Sequence, residues 1–279
     1  MSESPRPRGS AGDSGAWPPQ SRTGRAFAHA TGASGSGFPH RSDRRPPQTP
    51  RGARLTGQDG RPGTFPPVPG RPYYVYGLLA ASGLLFVLLS VAVAVGGPLI
   101  TADEKLGRAL SGEGPGGLAE FFADLGGVLV AGPFLLLVLL ASALHARARG
   151  ARRWWLPAAA GALAMAAVPL LVAPLKALID RPGPPGTGTG TDPSGGYYPS
   201  GHTATAMVAY GIAVLLALPL LRALWRRLLL AAGVLLNLAV GCGLVLRGYH
   251  WPLDVVGSWL LCPLILAAFA GACARFTRP

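Results

Sequence analysis

Two histidine-bearing motifs in this chain carry residue types that are suited to chemistry on phosphorus. Pro199-Ser200-Gly201-His202 lies directly before one apolar run, and His250-Trp251-Pro252-Leu253-Asp254 lies directly before another. One imidazole can attack a phosphorus atom, and a second can protonate the leaving oxygen and then activate water. If both motifs lie at the same membrane face, the sequence favours chemistry on a phosphate that a lipid carries.

The first motif has the features of a helix start that receives an anion. Ser200 directly precedes the apolar run and is a favoured N-cap residue. The first backbone N–H groups of the helix, from Gly201 onward, would then point outward, and the glycine would let a phosphate approach closely. The alternative is a plain serine cap with an interfacial histidine at His202, because so short a motif is weak alone.

The second motif pairs a histidine with a carboxylate. His250 and Asp254 are four residues apart and would share one helix face, with Pro252 suited to the first turn. Asp254 would accept the proton-bearing ring nitrogen of His250, which fixes the tautomer and leaves the other nitrogen to attack. The alternative is an interfacial histidine capped by an aspartate, without chemistry.

Three cations fall near these motifs, at the ends of apolar runs: Lys176, Arg181 and Arg247. A lone cation at a membrane boundary commonly extends its side chain toward the lipid headgroups. Beside two histidines, however, cations suit a phosphoryl group. No Cys/His cluster or acidic cage in the sequence suggests a zinc, calcium or magnesium site, so we expect no metal and no other cofactor.

Composition predicts the elements that position these residues. Of the 279 residues, 13% are charged, below the roughly 25% of soluble domains, and apolar runs of about 20 residues recur. We therefore predict an all-α integral membrane bundle of six spans, at about 73–95, 125–145, 155–179, 200–221, 228–246 and 254–274. Segment 96–124 is interpreted as a polar loop. Three cysteines, Cys242, Cys262 and Cys273, fall in spans and are expected to be small buried apolar residues.

The arginines predict an orientation. Basic residues follow the second, fourth and sixth spans and also fill the segment before the first span. Short basic segments stay in the cytoplasm. Both termini are therefore expected to be cytoplasmic in a multi-pass plasma-membrane protein. Loops 96–124, 180–199 and 247–253 would then face outward, and the two histidine motifs would be extracytoplasmic.

Residues 1–70 differ from the rest of the chain. They are rich in Pro, Gly, Ser and Arg, nearly lack aliphatic side chains and begin without the apolar region of a signal peptide. Such a segment buries too little apolar surface to order, so we predict a disordered cytoplasmic tail before a membrane domain at 71–279. The tail is expected to be solvated or to contact anionic headgroups. Nucleic acid is not an expected partner despite the net charge of +13, because few aromatics accompany the arginines.

Together, the motifs resemble the type 2 phosphatidic acid phosphatase superfamily, over about residues 73–275. Pro199-Ser200-Gly201-His202 matches the family's second motif, and His250 with Asp254 matches the end of the third. Lys176 with Arg181-Pro182 is similar to the first motif. The resemblance implies a six-span helical bundle with the three motifs at one face.

The chain departs from the family pattern at two arginines. The first motif has Arg-Pro after Lys and six further residues, a register that falls here on Gly183-Pro184. The third motif has an arginine six residues before the histidine, a position that is Leu244 here. Arg181 and Arg247 are the nearest substitutes. Three residues along a helix amount to about 4.5 Å, which a long guanidinium side chain can span.

The resemblance implies hydrolysis in two steps without a metal. His250 would be the nucleophile and form a phosphohistidine, Asp254 would orient it, and His202 would be the general acid and base. Phosphate would be held by the remaining site residues: Lys176, Arg181, Ser200, Gly201 and Arg247.

The expected partners are a lipid phosphate substrate and the surrounding bilayer lipids. Undecaprenyl pyrophosphate or a related polyprenyl lipid is favoured over phosphatidic acid and phosphatidylglycerol phosphate, with the lipid tail in a gap between spans. Two alternatives remain open: a phosphotransferase on the same scaffold, and a protein that binds or moves lipid phosphates without chemistry.

Overall fold

The computed structural model describes residues 73–185 and 196–276, and within these ranges the chain is helical without strands. Eight α-helices follow one another: α1 (Tyr73–Val95), α2 (Pro98–Leu110), α3 (Gly116–Leu125), α4 (Val128–Ala148), α5 (Leu156–Ile179), α6 (Gly201–Ala217), α7 (Ala223–Leu246) and α8 (Pro252–Phe276). A short 3₁₀ turn, Leu218–Leu220, continues α6. The predicted N-terminal tail at 1–70 lies outside the described residues.

Six of the described helices are long and apolar enough to cross a membrane: α1, α4, α5, α6 with its 3₁₀ turn, α7 and α8. The predicted all-α fold with six membrane spans is therefore confirmed. The largest differences concern the second span, which lies three residues further along the chain than predicted, and the fifth span, which begins five residues earlier. Helix α4 begins at Val128, after Gly126 and Gly127, whereas α7 begins at Ala223 and accommodates Arg226 within its first turns. There the Arg226 Nε donates to the carbonyl of Leu221 at 2.8 Å.

The prediction of a polar loop at 96–124 is wrong, because the segment forms α2 and α3. Pro98 occupies the first turn of α2, where its fixed φ favours a helix. Helix α2 is amphipathic, with Ile100 and Gly107 buried and Lys105 exposed. At 13 residues it is too short to span a bilayer. The charged side chains that suggested a loop mostly form its solvent face.

Helix α6 is the centre of the bundle. It packs against α4, α5, α7 and α8. The small side chains of Ala204, Ala206 and Ala209 are fully buried and let the neighbouring helices approach closely. Because four neighbours hold α6, its N-terminal turn, which carries the Ser200-Gly201-His202 motif, has a fixed position at one end of the bundle.

Trp251 contacts three elements at the end of the bundle where α6 begins. Its indole Nε1 donates to the carbonyl of Pro182, just after α5, at 2.9 Å. On its other side α2 packs against it through Gly107, where an added Cβ would lie 2.5 Å from the Trp251 ring. Helix α2 therefore packs tightly against the start of α8, close to His250.

The cysteines are only partly as expected. All three are free thiols, and Cys262 is buried in the core. The expectation of burial is wrong for Cys242, which is exposed on the outward side of α7, and Cys273 is half-buried. On a membrane-spanning helix, an outward side meets lipid, where a small apolar side chain is as well accommodated as in the core.

Candidate active site

The start of α6 is capped and rigid. The Ser200 Oγ accepts a hydrogen bond from the Thr203 N–H at 3.2 Å, so the predicted N-cap is confirmed. Ser200 is fully buried, and its carbonyl accepts from the Ser258 hydroxyl at 2.7 Å. Beside Gly201 there is open space, since an added Cβ would meet no atom within 4 Å. Space is therefore open beside the first residue of α6, while an anion at this helix N-terminus stays a prediction.

The expectation that His250 and Asp254 share one helix face is wrong, because α8 begins at Pro252 and His250 lies two residues before it. The two side chains nevertheless meet, since Asp254 lies in the first turn of α8. The His250 Nδ1 is 3.4 Å from the Asp254 Oδ2, a long contact for a hydrogen bond. The same oxygen accepts from the Trp251 N–H at 3.0 Å, and Asp254 is fully buried. The backbone carbonyl of Asp254 accepts from the Ser200 N–H at 3.0 Å, which joins the two motifs directly.

The structure brings the two histidine rings together. The ring centroids of His202 and His250 are 6.4 Å apart, and the ring planes are inclined by 59°. The two predicted imidazoles therefore lie in one site. His202 is exposed and His250 is buried, with the edge of Tyr197 against the His250 ring at a centroid distance of 5.8 Å.

Arg181 lies between two carboxylates. Its Nη1 is 2.6 Å from the Asp254 Oδ1 and its Nη2 is 2.6 Å from the Asp103 Oδ2. The guanidinium is buried, while its Nε has no hydrogen-bond partner among the described residues. The structure therefore brings Arg181 into the site, but its two terminal nitrogens bind carboxylates. Its predicted contact with phosphate stays a prediction.

Asp103 belongs to this cluster and was missed by the sequence analysis. It is buried on α2, and its Oδ1 accepts from the backbone N–H of Leu253 at 3.0 Å. Burial raises the pKa of Asp103 above its ordinary value, against the lowering effect of the Arg181 guanidinium. The signal was present in the sequence, since Asp103 shares one helix face with Ile100 and Gly107, both of which are buried.

Lys176 lies at the polar end of a cleft between α4, α5 and α6. The cleft has a volume of about 690 Å³, and Gly201 and His202 line the same end. The rest of its lining is almost entirely apolar and includes Leu135, Leu136, Leu139, Met165, Val168 and Val172. Lys176 is itself buried. The cleft thus joins a cation, an imidazole and a helix N-terminus to a wall suited to hydrocarbon.

Arg247 is paired with a carboxylate of α3. Its Nε forms an ion pair with Glu120 on α3, and the Tyr249 hydroxyl donates to the same carboxylate at 2.8 Å. Among the described residues, Arg247 forms no hydrogen bond or ion pair with either histidine. Leu244, which stands where the resembled family has arginine, is fully buried in the core. A phosphate contact by Arg247 stays a prediction.

Residues 157–276 match the sequence model of the PAP2 superfamily. The resemblance to this superfamily is confirmed. The matched range begins in α5 and ends with α8, so it contains every predicted site residue, from Lys176 to Asp254. No cluster of three His, Cys, Asp or Glu side chains that could hold a metal occurs within 73–185 and 196–276.

The PAP2-type fold is also seen in a solved structure. The chain is similar to the crystal structure of a transmembrane PAP2-type phosphatidylglycerolphosphate phosphatase from Bacillus subtilis, with a TM-score of 0.62 and 21% identity. The similarity covers 71% of this chain and 96% of that one. A comparison with curated protein sequences found no match. The chain thus shares its fold with that membrane phosphatase.

Proposed function

We propose that this protein is a membrane phosphatase that hydrolyses a lipid phosphate or pyrophosphate through a phosphohistidine at His250. The observation that carries the proposal is the pairing of His202 and His250 at a centroid distance of 6.4 Å, with the His250 Nδ1 beside a buried carboxylate. The PAP2 match over 157–276 and the similarity to a phosphatase structure support it.

In the first step, the His250 Nε2 donates its electron pair to phosphorus. A P–N bond forms, the P–O bond to the lipid breaks, and the lipid oxygen leaves with the bonding pair. His202 gives a proton to that oxygen, so the lipid departs as an alcohol or, from a pyrophosphate, as a monophosphate. The His250 ring becomes positive in this step, and the carboxylate of Asp254 stabilises its Nδ1–H.

In the second step, His202 is neutral and accepts a proton from water. The water oxygen attacks phosphorus, the P–N bond breaks with its electron pair returning to His250, and inorganic phosphate leaves. The exposure of His202 gives water access to this base, and the burial of His250 limits other nucleophiles at the phosphoenzyme.

Charge on the phosphoryl oxygens would be balanced by Lys176 and by the N-terminus of α6, where Ser200 and Gly201 are proposed to hydrogen-bond the phosphate. Both terminal nitrogens of Arg181 bind carboxylates, so Arg181 would reach phosphate through its Nε or by exchanging a carboxylate. Arg247 is bound to Glu120 through its Nε and would have to turn from that partner toward the phosphate. We keep both as proposed ligands of the phosphate, reached on substrate binding.

The apolar cleft supports a lipid as the substrate. A hydrocarbon chain in the cleft would keep its headgroup beside Lys176 and His202, at one end of the helical bundle. A polyprenyl pyrophosphate such as undecaprenyl pyrophosphate, phosphatidic acid and phosphatidylglycerol phosphate all fit this description. The arginine distribution supports a site at the extracytoplasmic face of the plasma membrane, with both termini in the cytoplasm.

We expect purified protein in detergent micelles to release inorganic phosphate from at least one of these three lipids, and to keep its rate in EDTA. The rate should persist in EDTA because side chains transfer the protons and balance the charges in the proposed mechanism. The measurement is phosphate release against time for each lipid, with and without chelator. Loss of the rate in EDTA would contradict the metal-free mechanism, and no release from any of the three lipids would contradict the function.

A second function is favoured by one observation. Both predicted arginine ligands are bound to carboxylates, which suits a protein that binds or moves lipid phosphates without hydrolysing them. Such a protein would retain lipid phosphate on purification and would form no covalent phosphoenzyme. The phosphatase is preferred to simple binding. A lysine could supply the positive charge that binding of a phosphate needs, so binding alone gives the paired histidines no role of their own.

The cleft makes a separate prediction about chain length. Ala166 lies on α5, lines the cleft and is ten residues before Lys176, about 15 Å along the helix. Ala166→Trp should raise KM for a long-chain lipid phosphate by about tenfold, an effect of about 1.4 kcal/mol, because the indole occupies space for the hydrocarbon. A short-chain phosphate ester should be hydrolysed unchanged.

The matched control is Leu170→Trp, on the same helix. Leu170 is 72% exposed and is not part of the cleft wall. Kinetics with the long-chain and the short-chain substrate are compared for both variants. Equal KM effects at positions 166 and 170, or an equal effect of Ala166→Trp on both substrates, would show that the lipid tail lies elsewhere.

A further inference from the structure

We propose that Asp103 is a positioning residue for the nucleophile, acting on His250 through Arg181 and Asp254. This inference rests on the proposed function and adds a residue from outside the region that matches the PAP2 model, which begins at residue 157. Asp103 lies on α2, the amphipathic helix between the first two spans. No part of the three motifs includes it.

The contacts of Asp103 lead to Asp254 by two routes. Through its Oδ2 it holds the Arg181 Nη2 at 2.6 Å, and the other terminal nitrogen of Arg181 holds the Asp254 Oδ1 at 2.6 Å. Through its Oδ1 it accepts from the N–H of Leu253, in the first turn of α8, at 3.0 Å. This N–H has no acceptor within its own helix. Asp103, which lies on α2, therefore caps the helix that carries Asp254.

These contacts fix the carboxylate that orients the nucleophile. Arg181 holds one oxygen of Asp254, and the Trp251 N–H and the His250 Nδ1 share the other. A carboxylate held from both ends cannot rotate away from the imidazole. Arg181 can fix the orientation of Asp254 only if the guanidinium is itself held in place. Asp103 holds it through the hydrogen bond from the Arg181 Nη2.

Charge gives Asp103 a second effect on the site. Two buried carboxylates share the one guanidinium of Arg181, whose side chain is 3% exposed. Without Asp103, the charge of Arg181 would act on Asp254 alone and weaken that carboxylate as a partner for the positive ring that forms when His250 takes up phosphorus. Asp103 therefore leaves Asp254 with more of its negative charge for His250.

The test is Asp103→Asn, which keeps the side-chain shape and an oxygen that can accept from the Leu253 N–H. We expect kcat on a lipid phosphate to fall about 10- to 100-fold while KM stays within about twofold, since the change acts on an orienting group and not on substrate binding. The matched control is Glu104→Gln, an identical chemical change on the same helix. Among the described residues, Glu104 forms an ion pair only with Arg108, on the surface and at 3.5 Å, and its variant should keep the wild-type kcat.

A second readout does not depend on turnover. In ¹⁵N-histidine-labelled protein, the ring signals of His250, assigned by their loss in His250→Ala, should show the Nδ1–H tautomer in the wild type and a mixture of tautomers in Asp103→Asn. A purely structural role would lower the unfolding temperature and leave these signals unchanged. Wild-type kcat or an unchanged His250 spectrum in folded Asp103→Asn would overturn the inference.

The two hypotheses fail in different ways. If the wild type releases no phosphate from any lipid phosphate, the proposed function fails, and the His250 spectrum alone decides the role of Asp103. If the wild type is active and Asp103→Asn matches it in kcat and in spectrum, the function stands and the positioning role is lost.

Discussion

His250→Ala should lower phosphate release to less than about one thousandth of the wild-type rate, because it removes the atom that bonds to phosphorus. The His250 side chain is buried beside Asp254. Among the described histidines, only His202 lies next to its ring. The measurement is the initial rate of phosphate release at saturating lipid phosphate. Retention of even a tenth of the wild-type rate would show that His250 is not the nucleophile.

His145→Ala is the matched control for this variant. His145 lies exposed in the last turn of α4, and an alanine there should leave the rate unchanged. Loss of activity in both variants would indicate a general effect of removing a histidine and not the loss of a nucleophile.

His202→Ala separates the two steps of the mechanism. With a nitrophenyl phosphate ester, whose leaving group needs no proton, this variant should still form the phosphoenzyme. The phosphoenzyme should then accumulate, because the variant lacks the base that activates water. Labelled phosphate on the protein, stable to alkali and released by acid, would identify the phosphohistidine. Accumulation in His250→Ala instead would reverse the two assignments.

The membrane spans were predictable because a bilayer imposes a simple rule. A span needs about 20 apolar residues, and the six runs that satisfy this rule are the six long helices of the structure. The site motifs were also visible, since Ser200 and His250 lie just before two of these helices. Their proximity follows from span parity together with the hydrogen bond between the Ser200 N–H and the Asp254 carbonyl.

Helix α2 and Asp103 were not predicted, for a physical reason. The charged residues of segment 96–124 are typical both of a loop and of the solvent face of a short amphipathic helix, and only the buried partner decides between them. The partner of Asp103 is Arg181, which lies 78 residues further along the chain. No local pattern contains that pairing.

The position of Arg247 shows the limit of arguing from spacing alone. A shift of three residues from Leu244 is about 4.5 Å along the helix, but it also turns the side chain by about 60° around the axis. Leu244 faces the core, whereas Arg247 faces α3 and finds Glu120 there. The axial distance alone therefore does not decide which partner the guanidinium meets, and contact of Arg247 with phosphate stays a prediction.

Arg181→Met should be the most destabilising substitution in the site. It leaves Asp103 and Asp254 facing one another, both buried, without the cation that they share. Removal of one partner from a buried ion pair destabilises a protein by about 3–5 kcal/mol, and the same change frees Asp254 to rotate away from His250. We expect a clear drop in the unfolding temperature in detergent, and phosphate release below about 1% of wild type.

The double variant Asp103→Asn with Arg181→Met tests whether repulsion between the two buried carboxylates causes the loss of stability. Removing one carboxylate charge relieves the repulsion, so the double variant should be more stable than Arg181→Met alone, whereas independent effects would make it less stable. Arg247→Met is the matched control, because its ion pair with Glu120 lies at the surface and should not change the unfolding temperature measurably. If Arg181→Met instead unfolds like the wild type but loses activity through a higher KM, Arg181 acts on the phosphate directly and the carboxylates serve only to hold it. That outcome would support the phosphate-binding role predicted from the first motif.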